Sequence, residues 1–236
     1  ETVPFPTGTV EVTLDGAGIP SYEIRQGVAW DNIPFTPQIE ELARHTRAAC
    51  FGSLAQRSPV SHRTIGRFLE TMPDGEGQYK VFDINLRQHF YTQQVVEESL
   101  RKCNILKIND EELAVVGSMF GLEGMQPGEQ CRTLLDRYGL RIVILTCGAA
   151  GSSVLAPPHT RSYIPTPRRR SSRHGRCRGL VQRHRSWPPC SRGSAIGEAH
   201  RLAVDVAAHV CSQHGAMPRL PERFTARLRN DGPAIR

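Results

Sequence analysis

Apolar and polar residues alternate at Val10, Val12 and Leu14, and Asp15-Gly16-Ala17-Gly18 follows with turn-forming residues. Residues 22–25 can return as a second strand, so the segment reads as a β-hairpin. Thr36-Pro37 with Glu40 and Glu41 behind it predicts a helix start: a capping hydroxyl, a proline at the first position and acids at the positive end. That helix runs to about Arg47. Strands are then predicted at 48–54, 80–85, 105–108, 141–146 and 152–155, and helices at 61–69, 92–103, 110–120 and 129–138. Ile142-Val143-Ile144-Leu145 is apolar on both faces, as in parallel sheets covered by helices. The alternation predicts an α/β fold. It stops after Pro167: residues 168–193 have no apolar period. A helical pattern returns at Ile196 and runs through Leu202, Val206 and Val210, with Gly215 beyond it. Residues 221–236 form a polar, basic tail expected to fray.

The chain of 236 residues, 39% hydrophobic, suits one domain with a small appendage. No apolar run is long enough to span a bilayer. Residues 1–9 lack a secretion-signal pattern and there is no initiator Met, so the chain is expected to start partway through a longer protein. Seven cysteines, an odd number with no CxxC, read as buried thiols in a reducing cytoplasm.

The net charge of +7 invites a nucleic-acid partner, but its distribution argues against a specific one. Nine of the 30 basic residues, all Arg, fall within 168–193, and the remainder holds 21 basic and 23 acidic residues.

Three short motifs carry candidate chemistry. Asp83-Ile84-Asn85-Leu86-Arg87 ends a strand, where ligands of open α/β sheets sit, and its Asn and Arg suit a hydroxyl and a phosphate oxygen. Asn109-Asp110-Glu111-Glu112 ends the next strand and suits a water-rich magnesium shell. Thr146-Cys147-Gly148-Ala149-Ala150-Gly151 follows the most apolar strand, and its glycines permit close approach of a phosphate. Taken singly, the three read equally as a solvated strand end, a helix cap and a tight turn.

In that order, D-x-N-x-R, N-x-x-E and T-x-G-x-x-G, the motifs resemble the ribokinase-like (PfkB) carbohydrate kinases, in a fructokinase-like form. Cys50-Phe51-Gly52-Ser53-Leu54, Lys107-Ile108-Asn109 and the closing helix strengthen the resemblance, which covers residues 6–167 and 195–221. It implies a three-layer α/β/α sandwich with a mostly parallel central sheet, plus a remnant β lid made by the hairpin. One partial kinase domain would occupy 1–221, with a polar tail at 222–236. The implied activity is transfer of the ATP γ-phosphoryl group to a sugar hydroxyl in the cytoplasm. Asp83, Asn85 and Arg87 would lie at the sugar and the transferred phosphate. Asn109 and Glu112 would position Mg²⁺ through water. Thr146, Gly148, Gly151, Ala208 and Gly215 would line the ATP site, with a monovalent cation as a further candidate. Some relatives form homodimers through the lid, and the resemblance leaves that open.

Two departures stand out. The family's opening strand and glycine-rich sugar-binding stretch do not precede Glu1. The D-T-x-G-A-G-D signature is also missing. Its glycines form an anion hole and its last Asp is the general base, whereas residues 155–195 contain no Asp or Glu. Reading the codons of residues 173–182 from their second base permits D-T-V-G-A-G-D-S-F, with the lost Asp in the slot of Gly179 and Leu180. A frameshift across 168–193, leaving a disordered loop, is the expectation, and the chain as written is expected to be inactive. The alternatives are a non-catalytic pseudokinase, or a basic module that binds polyanions through the arginines. A zinc site from His174, Cys177, His184 and Cys190 has donors of the right type but no known finger spacing.

Overall fold

The computed structural model describes residues 3–16, 20–158, 160–166, 195–213 and 218–229. The chain divides into two compact units, Glu1–Asn104 and Ile105–Arg236. The frameshift segment, the Gly179–Leu180 slot, the four zinc candidates and Gly215 lie outside the described residues.

The first unit opens with the predicted hairpin, β1 (Val10–Leu14) and β2 (Pro20–Ile24), antiparallel with Val10 opposite Ile24 and Leu14 opposite Pro20. It forms a two-stranded sheet of its own. Helix α1 (Pro37–His45) starts where the sequence predicts: Thr36 Oγ1 accepts the Ile39 N–H at 3.3 Å and Pro37 opens the first turn. Strand β3 (Ala48–Phe51) leads to α2 (Pro59–Thr71), and β4 (Tyr79–Asp83) pairs parallel with β3. Helix α3 (Gln93–Lys102) is capped by Thr92. Phe82, Ile84, Val96 and Leu100 are fully buried, and Phe51 stacks on Phe82 at 5.2 Å.

The second unit begins with β5 (Ile105–Asn109), α4 (Asp110–Met119), α5 (Pro127–Arg137) and β6 (Ile142–Thr146). Strands β5 and β6 run parallel, with Asn109 opposite Thr146. Strands β7 (Ser152–Ala156) and β8 (Thr160–Ile164) return antiparallel. Helix α6 (Ala195–Cys211) packs on β7 and β8. Leu106, Ile108, Leu113, Leu134, Val143 and Leu145 fill the core. Strands β3 and β4 are thus a parallel pair in the first unit, and β5 to β8 a mixed sheet in sequential order in the second.

Two elements depart from the sequence expectation. Strand β8 was not anticipated, because Thr160-Arg161-Ser162 is too polar to stand out. Within the expected tail, α7 (Glu222–Arg229) is helical and buries Phe224.

Candidate functional site

In the first unit the candidate residues sit where β4 runs out. Asp83 is its last residue and Ile84, fully buried, anchors the chain behind it. The Ile84 carbonyl accepts both the Ser53 hydroxyl at 2.7 Å and the Ser53 N–H at 3.3 Å. A Cβ on Gly52 would lie 2.9 Å from the Asp83 carbonyl, so only glycine lets the end of β3 come this close. Beyond Ile84 the chain turns sharply. Asn85 and Gln88 adopt positive φ, 45° and 48°, a conformation that costs side-chain-bearing residues energy and persists only where the surroundings impose it. Asn85, Arg87 and Gln88 are exposed. Arg87 Nη1 donates to the adjacent Leu86 carbonyl at 2.9 Å.

The support behind this turn is electrostatic and aromatic. Arg57, on the loop between β3 and α2, pairs with Asp31 through two hydrogen bonds of 2.8 and 2.9 Å, and both side chains are only 5% exposed. Its guanidinium lies 4.0 Å from the Trp30 ring centre and 4.5 Å from that of Phe90. Burial pushes the Asp31 carboxyl up, but the Arg57 hydrogen bond and charge and the Val28 N–H outweigh it and hold the group below its ordinary value.

In the second unit, Asn109 and Glu112 form a reciprocal capping box. Asn109 Oδ1 accepts the Glu112 N–H at 2.7 Å and Glu112 Oε2 accepts the Asn109 N–H at 3.0 Å. Glu112 is buried at 8% exposure. Asn109 and Thr146 close two neighbouring parallel strands at the same level. Thr146 is half-buried and Gly148 exposed, and a Cβ on Gly148 meets nothing within 4 Å. Gly151 differs. Its φ is 117°, and a Cβ there would lie 2.3 Å from the Ile164 carbonyl oxygen and 2.7 Å from Pro165 Cα. Close packing against the end of β8 therefore already requires glycine at 151. Two bonds brace the loop, Cys147 N–H to the Gly151 carbonyl at 2.8 Å and Thr166 Oγ1 to the Gly148 carbonyl at 2.8 Å. Burial, and the charge of Asp110, push the Cys147 thiol up, so it is a poor nucleophile. Ala208 is half-buried on α6.

The cap occupies Asn109 Oδ1 and Glu112 Oε2, a donor set that suits magnesium held through water and phosphate. Among the described residues no three His, Cys, Asp or Glu cluster as metal ligands, and no helix is long and apolar enough to cross a membrane.

Sequence reasoning missed three positions that hold the first-unit turn. Ser53 lay within a recognised phrase, without a role. Arg57 and Gln88 carried no signal, since their partners lie far away in the chain. It also missed His200 of α6. This buried ring bridges Ser152 of β7 (Nε2 to Oγ, 2.7 Å) and Ser162 of β8 (Nδ1 to Oγ, 2.9 Å).

No family model matches the sequence, and no curated protein does. Solved structures do match. A ribokinase from Thermotoga maritima superposes with a TM-score of 0.60 at 16% identity, over 97% of this chain and 71% of that one. A fructokinase from Xylella fastidiosa gives 0.58 at 14% identity, over 70% and 53%. An uncharacterised sugar kinase from Pyrococcus horikoshii gives 0.53 at 22%, over 70% and 53%. The chain spans about half the length of the last two. Its fold is the ribokinase-like α/β fold of these sugar kinases.

Proposed function

We propose that this chain is part of a PfkB-type carbohydrate kinase, which transfers the γ-phosphoryl group of ATP to a sugar hydroxyl, and that the chain as written does not turn over. The observation that carries the first part is placement. Asp83, Asn109 and Thr146 each end their own strand, β4, β5 and β6, and the three motifs follow in order. Carboxyl ends of strands are where open α/β sheets bind ligands. ATP-bound fructokinase and sugar-kinase structures are among the neighbours, which supports ATP as the phosphoryl donor here.

The division of labour follows from the side chains. Asn85 would hold a sugar hydroxyl and Arg87 the oxygens of the transferred phosphate, both exposed on a turn whose backbone is fixed from behind. Thr146 and Gly148 would take the nucleotide phosphates, Gly148 because backbone there is open to approach, and Ala208 and Gly215 the adenine end. Asn109 and Glu112 would orient the waters of Mg²⁺, which neutralises charge on the phosphates when bound. A ketose or furanose such as fructose, a monovalent cation near the nucleotide, a cytoplasmic location and a homodimer complete the reading.

Inactivity rests on sequence. With no Asp or Glu in residues 155–195, the carboxylate base that the family signature would place there to take the proton of the attacking hydroxyl is absent. Loss of a general base costs about 10²–10⁴-fold. A coupled ATP-consumption assay over a sugar panel is expected to show no turnover, and sugar phosphate formed at an ordinary kinase rate would overturn this. Resequencing the codons of 167–194 separates the frameshift from the second reading, a polyanion-binding module, which the nine arginines favour.

A further inference from the structure

The β1–β2 hairpin has little to hold it. Every residue of β1 is exposed, Val10 and Val12 at 54% and Leu14 at 69%, so burial does not keep the hairpin in place. A backbone bond ahead of β1, from the Ala29 N–H to the Pro6 carbonyl at 2.8 Å, ties its entry, and side-chain hydrogen bonds tie its returning strand. Gln88 Nε2 donates to the Tyr22 carbonyl, inside β2, at 2.7 Å. Arg57 Nη2 donates to the Arg25 carbonyl, one residue past β2, at 2.5 Å. Both donors belong to the machinery behind the Asp83–Arg87 turn: Gln88 ends it at φ 48°, and Arg57 lies against Phe90, two residues on.

We propose that Gln88 and Arg57 are positioning residues that clamp the hairpin to this turn, so that the turn and the hairpin change conformation together. Three features favour the assignment. Gln88 keeps an unfavourable backbone conformation in which glycine would be unstrained, and its side-chain amide is used on the hairpin. Arg57 is anchored by Asp31, Trp30 and Phe90, and Nη2 alone reaches the hairpin stem, while Nη1 is buried without a hydrogen-bond partner among the described residues. Both acceptors are main-chain carbonyls, so the clamp grips the hairpin whatever side chains it displays. The consequence for function rests on the kinase reading: a ligand held by Asn85 and Arg87 would be sensed by the hairpin. The clamp itself does not depend on that reading.

Hydrogen–deuterium exchange of the full chain tests it without any turnover. In Gln88→Gly, which removes the clamp and relieves the positive φ, amides of residues 10–24 are expected to exchange about fivefold faster, the effect of one net hydrogen bond. Those of β4 and α3 are expected to keep their wild-type rates. Arg57→Lys, which retains a charge for Asp31 but lacks the forked reach, is expected to do the same at the hairpin stem. Wild-type exchange at 10–24 in Gln88→Gly would overturn the clamp, and so would a uniform rise across residues 3–104, which would mark a general loss of stability.

Discussion

Two pairs of five-residue strands, β1–β2 and β5–β6, have opposite fates. Both hold five residue pairs in register, but β1 alternates Val10, Val12 and Leu14 with polar residues whereas β6 is apolar throughout Ile142-Val143-Ile144-Leu145. In β5, Leu106 and Ile108 are buried at 0% and 1% exposure, whereas Val12 in β1 stays 54% exposed. The connection makes the difference. A hairpin joins antiparallel strands through a short turn and brings nothing to cover them. A parallel pair needs a long crossover, and here the crossover is α4 and α5, which supply the cover. Period alone predicts the strand, and the route of the chain decides its burial.

The sharpest way to break this contrast is truncation. Leu106→Ala is expected to cost about 2–5 kcal/mol in urea unfolding, because a fully buried leucine leaves a cavity. If it cost no more than a surface change, β5 would not be the core strand described. His200→Leu is next. It strands the buried Ser152 and Ser162 hydroxyls, at about 1–3 kcal/mol. It also carries a pH signature. Burial, then the charge of Arg201, holds the His200 pKa below its ordinary 6.5. The unfolded chain therefore binds the proton more readily. Stability from neutral His200 is complete above pH 6.5 and is lost as pH falls from there toward the folded value. A pH series of unfolding midpoints should show that loss in the wild type, and His200→Leu should lack it.

Smaller effects refine the contrast at element ends and on the hairpin. Glu112→Ala breaks one arm of the capping box and is expected to cost about 1 kcal/mol, read as a lower unfolding midpoint with α4 still formed by circular dichroism. Val12→Ala on the hairpin should fall within about 0.5 kcal/mol, as for exposed positions generally. A cost comparable to that of Leu106→Ala would show that the hairpin face is covered in solution.

Much of the architecture was legible because its causes are local. Thr36, Thr92 and Asn109 cap their helices within three residues, as their residue types predict. The three motifs fall at strand ends because polar residues stop strands whose apolar run precedes them. Strand β8 escaped notice since its burial depends on α6 packing across it, and Ser162 looks like a surface residue until His200 is placed against it. The glycines of the 146–151 motif looked alike in sequence. The structure separates them, Gly148 facing open space and Gly151 wedged against the Ile164–Pro165 backbone.

By itself the sequence determined the alternation of strand and helix, the helix starts and the order of the three motifs, since these rest on periods and caps acting over about four residues. Tertiary structure alone decided which strands are covered, why Asn85 and Gln88 take positive φ, and what His200 and Arg57 do. Those outcomes depend on contacts between residues 31 apart for Ser53 and Ile84, 48 for Ser152 and His200, and 66 for Tyr22 and Gln88. No local pattern encodes such pairs, because only the path of the folded chain brings their atoms within hydrogen-bond reach.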